Sequence, residues 1–139
     1  VSSIQDRIDA INYMAFSSDG RFLAIGDEYG GIILFDVAEQ AISHRIQGNM
    51  SGIAQVAFAP DSKTLATAGW DNSAQLWNVA TGKIALTLQH TGPVTGVAFS
   101  NDGNLMATSG VNATARLWRA ANLNEADSPV RPSAIDEAQ

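Results

Sequence analysis

The sequence predicts an all-β fold of four-stranded antiparallel sheets, and three observations carry that prediction. The stretch Ile53 to Trp77, IAQVAFAPDSKTLATAGWDNSAQLW, belongs to a unit written three times: it falls without a gap on residues 11–35 when moved back by 42 positions and on 94–118 when moved forward by 41. In every copy nineteen residues separate the aromatic ending the first apolar run (Phe16, Phe58, Phe99) from the aromatic ending the last (Phe35, Trp77, Trp118). Polar turns, SSDG, APDS and SNDG, punctuate the copies at one place. A period in the low forties, with several short apolar runs and a fixed aromatic, marks the blade of a β-propeller. The chain therefore reads as three blades, which make an incomplete ring, since propellers close with four or more.

Each element follows from this frame. Val1 to Gln5 falls on Ser43 to Gln47 by the same shift, with Ile4 on Ile46. Apolar residues at every second position (Ile42, Ile46; Ile84, Leu86, Leu88), with His44 in the same alternation, read as a half-buried strand. Val1 to Gln5 is then an outer strand without its blade. The first strand inside each copy, such as Val56 to Phe58, is nearly all apolar, so burial on both faces is expected. In the turn after it, Gly20 and Gly103 supply positive φ, and Ser62 stands at that place in the second copy, which predicts a turn that is a little strained or differently built. Second strands follow at Phe22 to Ile25, Thr64 to Ala68 and Leu105 to Ser109; third strands hold Leu34, Leu76 and Leu117 ahead of the terminal aromatic.

The third copy ends differently. After Trp118 come Pro129 and Pro132, and Leu123, Val130 and Ile135 are too widely spaced to pattern a strand. The expected division is residues 1–121 for the blades (bodies 11–35, 53–77 and 94–118) and a disordered tail over 122–139, which leaves the third blade without a fourth strand.

Composition narrows the function. The longest apolar runs are a few residues, far below the roughly 18 of a membrane span, and no membrane partner is expected. A net charge of -6 with scattered basic residues disfavours nucleic acid. The chain has no cysteine, which removes disulfides, thiolate metal sites and cysteine nucleophiles. It opens on Val1 without a Met or an apolar leader, as a processed product or a piece of a longer chain would. A cytoplasmic setting is expected.

The second copy, with Gly69, Asp71 six residues ahead of Trp77, and NSAQLW following that aspartate, resembles the WD-repeat β-propeller family. His90, four residues before Val94, is similar to the histidine of that family's glycine-histidine element, although Gln89 stands at the glycine. The resemblance implies a hydrogen-bonded tetrad of histidine, Ser or Thr, aspartate and tryptophan inside each blade. The second copy offers Asn49, Thr67, Asp71 and Trp77, and the third His90, Thr108, Asn112 and Trp118; the first has Arg7, Ile25, Tyr29 and Phe35. A buried indole N–H needs an acceptor, so the role implied is structural, and an incomplete network predicts weaker blades.

Sharper readings meet simple alternatives. Neither His90 nor His44 has a nucleophile or second ligand at a telling spacing, so no catalytic residue, metal site or cofactor is expected. Asp27 and Glu28 offer too few oxygens for calcium. Gly26, Gly30 and Gly31 lack the spacing of a phosphate loop and read as turn glycines. Asn49-Met50-Ser51 and Asn112-Ala113-Thr114 match glycosylation acceptors, a pattern common by chance. Trp70 differs. It stands in a polar turn whose blade already has Trp77, and an aromatic presented there is the kind of residue that anchors interfaces. Carried over by position, the partner-binding face that the resemblance implies comprises Asn12, Glu28, Ala54, Trp70, Pro93, Thr95 and Val111.

The function expected is a non-catalytic scaffold binding a protein or peptide on that face. The alternatives are a regulatory or sensor portion of a longer multidomain protein, and a propeller hydrolase. A homodimer closing a six-bladed ring is also expected, with Val1 to Gln5 of each copy completing the third blade of the other.

Overall fold

The computed structural model describes residues 10–48, 51–113 and 115–119, together with the backbone of 134–138. Among these residues the regular elements are all strands. Sheet one runs in the order β1 (Ile11–Phe16), β2 (Phe22–Asp27), β3 (Gly31–Asp36), β4 (Ala41–Gln47). Sheet two is β5 (Ile53–Phe58), β6 (Thr64–Gly69), β7 (Ser73–Asn78), β8 (Ile84–Gln89). Sheet three is β9 (Val94–Phe99), β10 (Leu105–Gly110), β11 (Ala115–Arg119), β12 (Ala134–Ala138). All neighbours within a sheet are antiparallel, so the three sheets are propeller blades written in chain order. Among the described residues no helix is long and apolar enough to cross a membrane.

The tail departs from expectation. The fourth strand of the third blade exists: β12 pairs with β11, Leu117 opposite Asp136 and Trp118 opposite Ala134. A backbone ladder needs no apolar pattern, and the widely spaced apolar residues of the tail concealed it. The place that the N-terminal strand of a second copy was expected to fill is therefore taken by the same chain. Val1 to Gln5 and residues 120–133 lie outside the described residues.

The blades stack face to face, and the repeat shift can be read in space. Gln55 donates from Nε2 to the Tyr13 hydroxyl at 3.2 Å, and its Oε1 accepts the Val97 N–H at 2.9 Å. Tyr13 is the repeat equivalent of Gln55, and Val97 adjoins the third, so β1, β5 and β9 run side by side in one direction. Two apolar layers fill the gaps. Blades 1 and 2 enclose Ala24, Ile32, Leu34, Ile53, Val56, Leu65 and Trp77; blades 2 and 3 enclose Ala66, Leu76, Leu88, Val97, Met106 and Trp118. The fixed aromatic of the repeat thus serves its blade's contact with the preceding one.

Burial of the first strands also differs from expectation. In β5 and β9 two residues are buried and the others intermediate or exposed; β1 is mostly exposed, Met14 by 55% and Phe16 by 64%. An innermost strand is covered by neighbouring blades, and β1 has a described neighbour on one side only. The outer strands alternate as expected, most clearly in β4.

Turn chemistry repeats as well. The Ser17 hydroxyl donates to Asp19 at 2.6 Å and accepts from Phe22 N, while Asp19 accepts Arg21 N; Ser100, Asp102, Asn104 and Leu105 reproduce this. Gly20 and Gly103 have φ of 72° and 75°, and Ser62 holds the same place at 62°, strained for a residue with a Cβ.

Candidate functional site

The starts of β1, β5 and β9 and the turns β2–β3, β6–β7 and β10–β11 share one end of the blades and form its rim. Each first strand carries a bulge next to its start. Ile11 faces Asp27 and Tyr13 faces Gly26, leaving Asn12 as an extra residue; Ala54 and Thr95 are extra in β5 and β9. A bulge bends its strand and re-aims side chains. All three bulge residues are among those expected on the partner-binding face. Asn12 Nδ2 donates to Ile53 O at 3.2 Å, linking blade 1 to blade 2, and Thr95 Oγ1 donates to Ser109 O at 3.5 Å.

The turn residues are held by a second repeated contact. Glu28 N–H donates to Ala10 O at 3.0 Å, Trp70 N–H to Gly52 O at 3.0 Å, and Val111 N–H to Pro93 O at 3.2 Å. Each turn is thereby tied to the segment that enters its own first strand. The structure places Asn12 with Glu28, Ala54 with Trp70, and Thr95 and Pro93 with Val111, one group per blade. Trp70 is 48% exposed and Val111 56%, while Ala54, Pro93 and Thr95 are partly buried. Gly52 joins two groups: a Cβ on it would stand 2.8 Å from Glu28 O, so only glycine lets the Trp70 and Glu28 turns come this close.

Sequence reasoning missed Tyr29. It is 61% exposed beside Glu28, at the place where the second copy has Asp71. The signal was present, since an aromatic at the tetrad's carboxylate position cannot serve there. Asp27 instead closes its own turn, Oδ1 accepting Tyr29 N at 2.9 Å and Gly31 N at 2.7 Å.

The residues of the expected tetrad lie below the rim. In blade 3 the Trp118 indole donates to Thr108 Oγ1 at 3.0 Å, and His90 Nε2 stands 2.9 Å from the same oxygen. His90 Nδ1 is 3.1 Å from the Leu88 carbonyl, which can only accept. The proton therefore sits on Nδ1, Nε2 accepts the Thr108 hydroxyl, and the relay runs from Trp118 to Thr108 to His90 to Leu88. The Leu88 backbone carbonyl thus sets the His90 tautomer. Burial holds the His90 pKa below its ordinary value, with Arg116 adding to the effect against the Leu88 bond. Asn112 Nδ2 donates to Thr91 Oγ1 at 3.3 Å. In blade 2 Trp77 donates to Thr67 Oγ1 at 3.1 Å, and Asp71 accepts from Ser73 N and Oγ; Asn49 lies outside the described residues. His44 bridges blades, its Nε2 donating to Ala80 O at 3.0 Å.

Known proteins share this repeat. The family profile described as "WD domain, G-beta repeat" matches residues 3–36, 41–78 and 82–119, well over half of the chain. The chain belongs to the WD-repeat family. It is similar to "Periodic tryptophan protein 2 homolog" of Dictyostelium discoideum, 32% identical over 87 residues that cover 61% of this chain and 9% of that protein. It is similar to human "Echinoderm microtubule-associated protein-like 2", 40% identical over 73 residues covering 50% and 11%, and to "Ribosome assembly protein 4" of Chaetomium thermophilum, 46% over 39 residues covering 28% and 8%. The chain spans about a tenth of the length of these WD-repeat relatives.

Proposed function

We propose that these blades are a non-catalytic docking scaffold whose rim, centred on Trp70, binds a protein or peptide. The carrying observation is that the position-equivalent residues Glu28, Trp70 and Val111 are each fixed by the same backbone hydrogen bond while their side chains stay exposed. A rigid backbone that presents exposed aromatic and aliphatic side chains loses little entropy on binding. Both histidines have structural partners, His90 in the relay and His44 on Ala80, which favours scaffold over hydrolase. Names of relatives that mention ribosome assembly and microtubule association agree with protein partners, and a cytoplasmic setting belongs to the same reading.

A second reading has its own observation. Met14 and Phe16 lie on the exposed strand of blade 1 that corresponds to the better covered β5 of blade 2, where Val56 is buried, so a further blade fits against it. With the fourth place of blade 3 filled by β12, this exposed strand is what the described residues leave for a homodimer to stack on. The small share of each relative favours a portion of a longer WD-repeat protein over self-association.

Capture from a cell lysate by the chain and its variants tests the docking reading. Trp70→Ala is expected to lose the bound proteins, at a cost of about 2 kcal/mol or more, whereas Lys63→Ala at the opposite end keeps them. Equal loss from both variants, or from neither, contradicts the rim.

A further inference from the structure

The rim is not uniform from blade to blade, and its gradient identifies the kind of segment it fits. At the junction of blades 1 and 2 the Glu28 and Trp70 turns come together at Gly52, which accepts the Trp70 N–H and leaves no room for a Cβ beside the Glu28 carbonyl, and both side chains are exposed. Exposed Tyr29 lies beside Glu28. At the junction of blades 2 and 3 the same positions are Trp70, Pro93 and Val111, all apolar. Among the described residues, the turns at this end hold Asp27, Glu28 and Asp71 and neither Lys nor Arg; the opposite end holds Arg21, Lys63 and Lys83 among its acids. Arg116 is partly buried in β11 with its residue opposite Thr108, and Arg45 is exposed within β4 with its residue opposite Ile33.

We propose that the junction of blades 1 and 2 takes a cationic side chain, Arg or Lys, from a bound protein segment, with an apolar neighbour of that side chain lying on Trp70 and Val111. The inference rests on the rim being the docking surface. A guanidinium or ammonium over the indole gains from the ring quadrupole, most when the site is desolvated. Glu28 supplies the opposite charge at the same junction, and the described turns of this rim carry no Lys or Arg to repel the segment. The apolar junction one blade further on sets the direction in which the segment lies.

Short synthetic peptide pools, alike except for a fixed central Arg, Lys, Glu or Leu among randomised neighbours, test this on the immobilised chain. The Arg and Lys pools are expected to be retained above the Glu pool, enriched in large apolar neighbours, and weakened by salt. Glu28→Gln lowers retention of the Arg pool about threefold, the worth of an exposed ion pair, and leaves the Leu pool unchanged. Equal retention of the Arg and Glu pools, no effect of Glu28→Gln, or no retention of any pool overturns the inference. If the Leu pool binds as well as the Arg pool and Trp70→Ala abolishes it, the cation inference fails while the rim stands; if Trp70→Ala changes no pool, both fail.

Discussion

Gln55 Oε1 accepts the Val97 backbone N–H at 2.9 Å, and through this one side chain the innermost strands of all three blades are joined, because Nε2 reaches the Tyr13 hydroxyl. Val97 is buried, so its N–H has no water to turn to. Gln55→Leu is expected to destabilise the chain by about 1–3 kcal/mol, the cost of an unsatisfied buried donor. Gln55→Glu keeps the acceptor, can still take the Tyr13 O–H, and loses less. Thermal unfolding of the two variants checks the order.

Trp118 packs between blades 2 and 3 and also donates to Thr108, so it ties the layer and the relay together. Trp118→Ala is expected to cost about 3–5 kcal/mol. Against a total stability of about 5–15 kcal/mol, that is a large fall in melting temperature. A variant that melts with the parent refutes this packing of blade 3.

His90 gives a pH dependence whose sign follows from its lowered pKa. The unfolded chain takes up the proton first, near the ordinary histidine value of about 6.5, and the folded chain only at lower pH. The stability that the neutral relay contributes is present above about pH 6.5 and is lost as pH falls through the folded value. Wild type is therefore expected to lose melting temperature relative to His90→Gln on acidification within that window. Asp19 and Asp102, held low chiefly by the Ser17 and Ser100 hydroxyls, are present in both proteins and cancel from the comparison.

Ala113 has φ of 62°, in the left-handed region, with an exposed side chain. Ala113→Gly relieves a steric cost of about 1–2 kcal/mol and adds about 0.4–1 kcal/mol of unfolded-state entropy. The net expected gain is of order 1 kcal/mol, read as a raised midpoint in denaturant.

Much of the fold was legible because the evidence for it is periodic. The nineteen-residue spacing from Phe58 to Trp77 placed β5 to β7, and the missing glycine at Ser62 marked a turn either strained or differently built, of which the φ of 62° shows the strained form. What the pattern could not show depends on neighbours and register. The exposure of β1 follows from its place at the end of the stack, not from its apolar side chains. The bulges at Asn12, Ala54 and Thr95 belong to the hydrogen-bond ladder, which leaves no mark in hydropathy. β12 was concealed for the same reason. At the site, Trp70 stood out because its blade already had a core aromatic; Tyr29 did not, because its position was read for a structural carboxylate.

The docking account is tested most directly by amide hydrogen exchange on the chain with and without a captured partner. The account predicts added protection at the turns around Glu28, Trp70 and Val111, whose N–H groups are bonded to Ala10, Gly52 and Pro93, and none at the opposite turns around Asp19, Asp61 and Asp102. Protection confined to those opposite turns would contradict it.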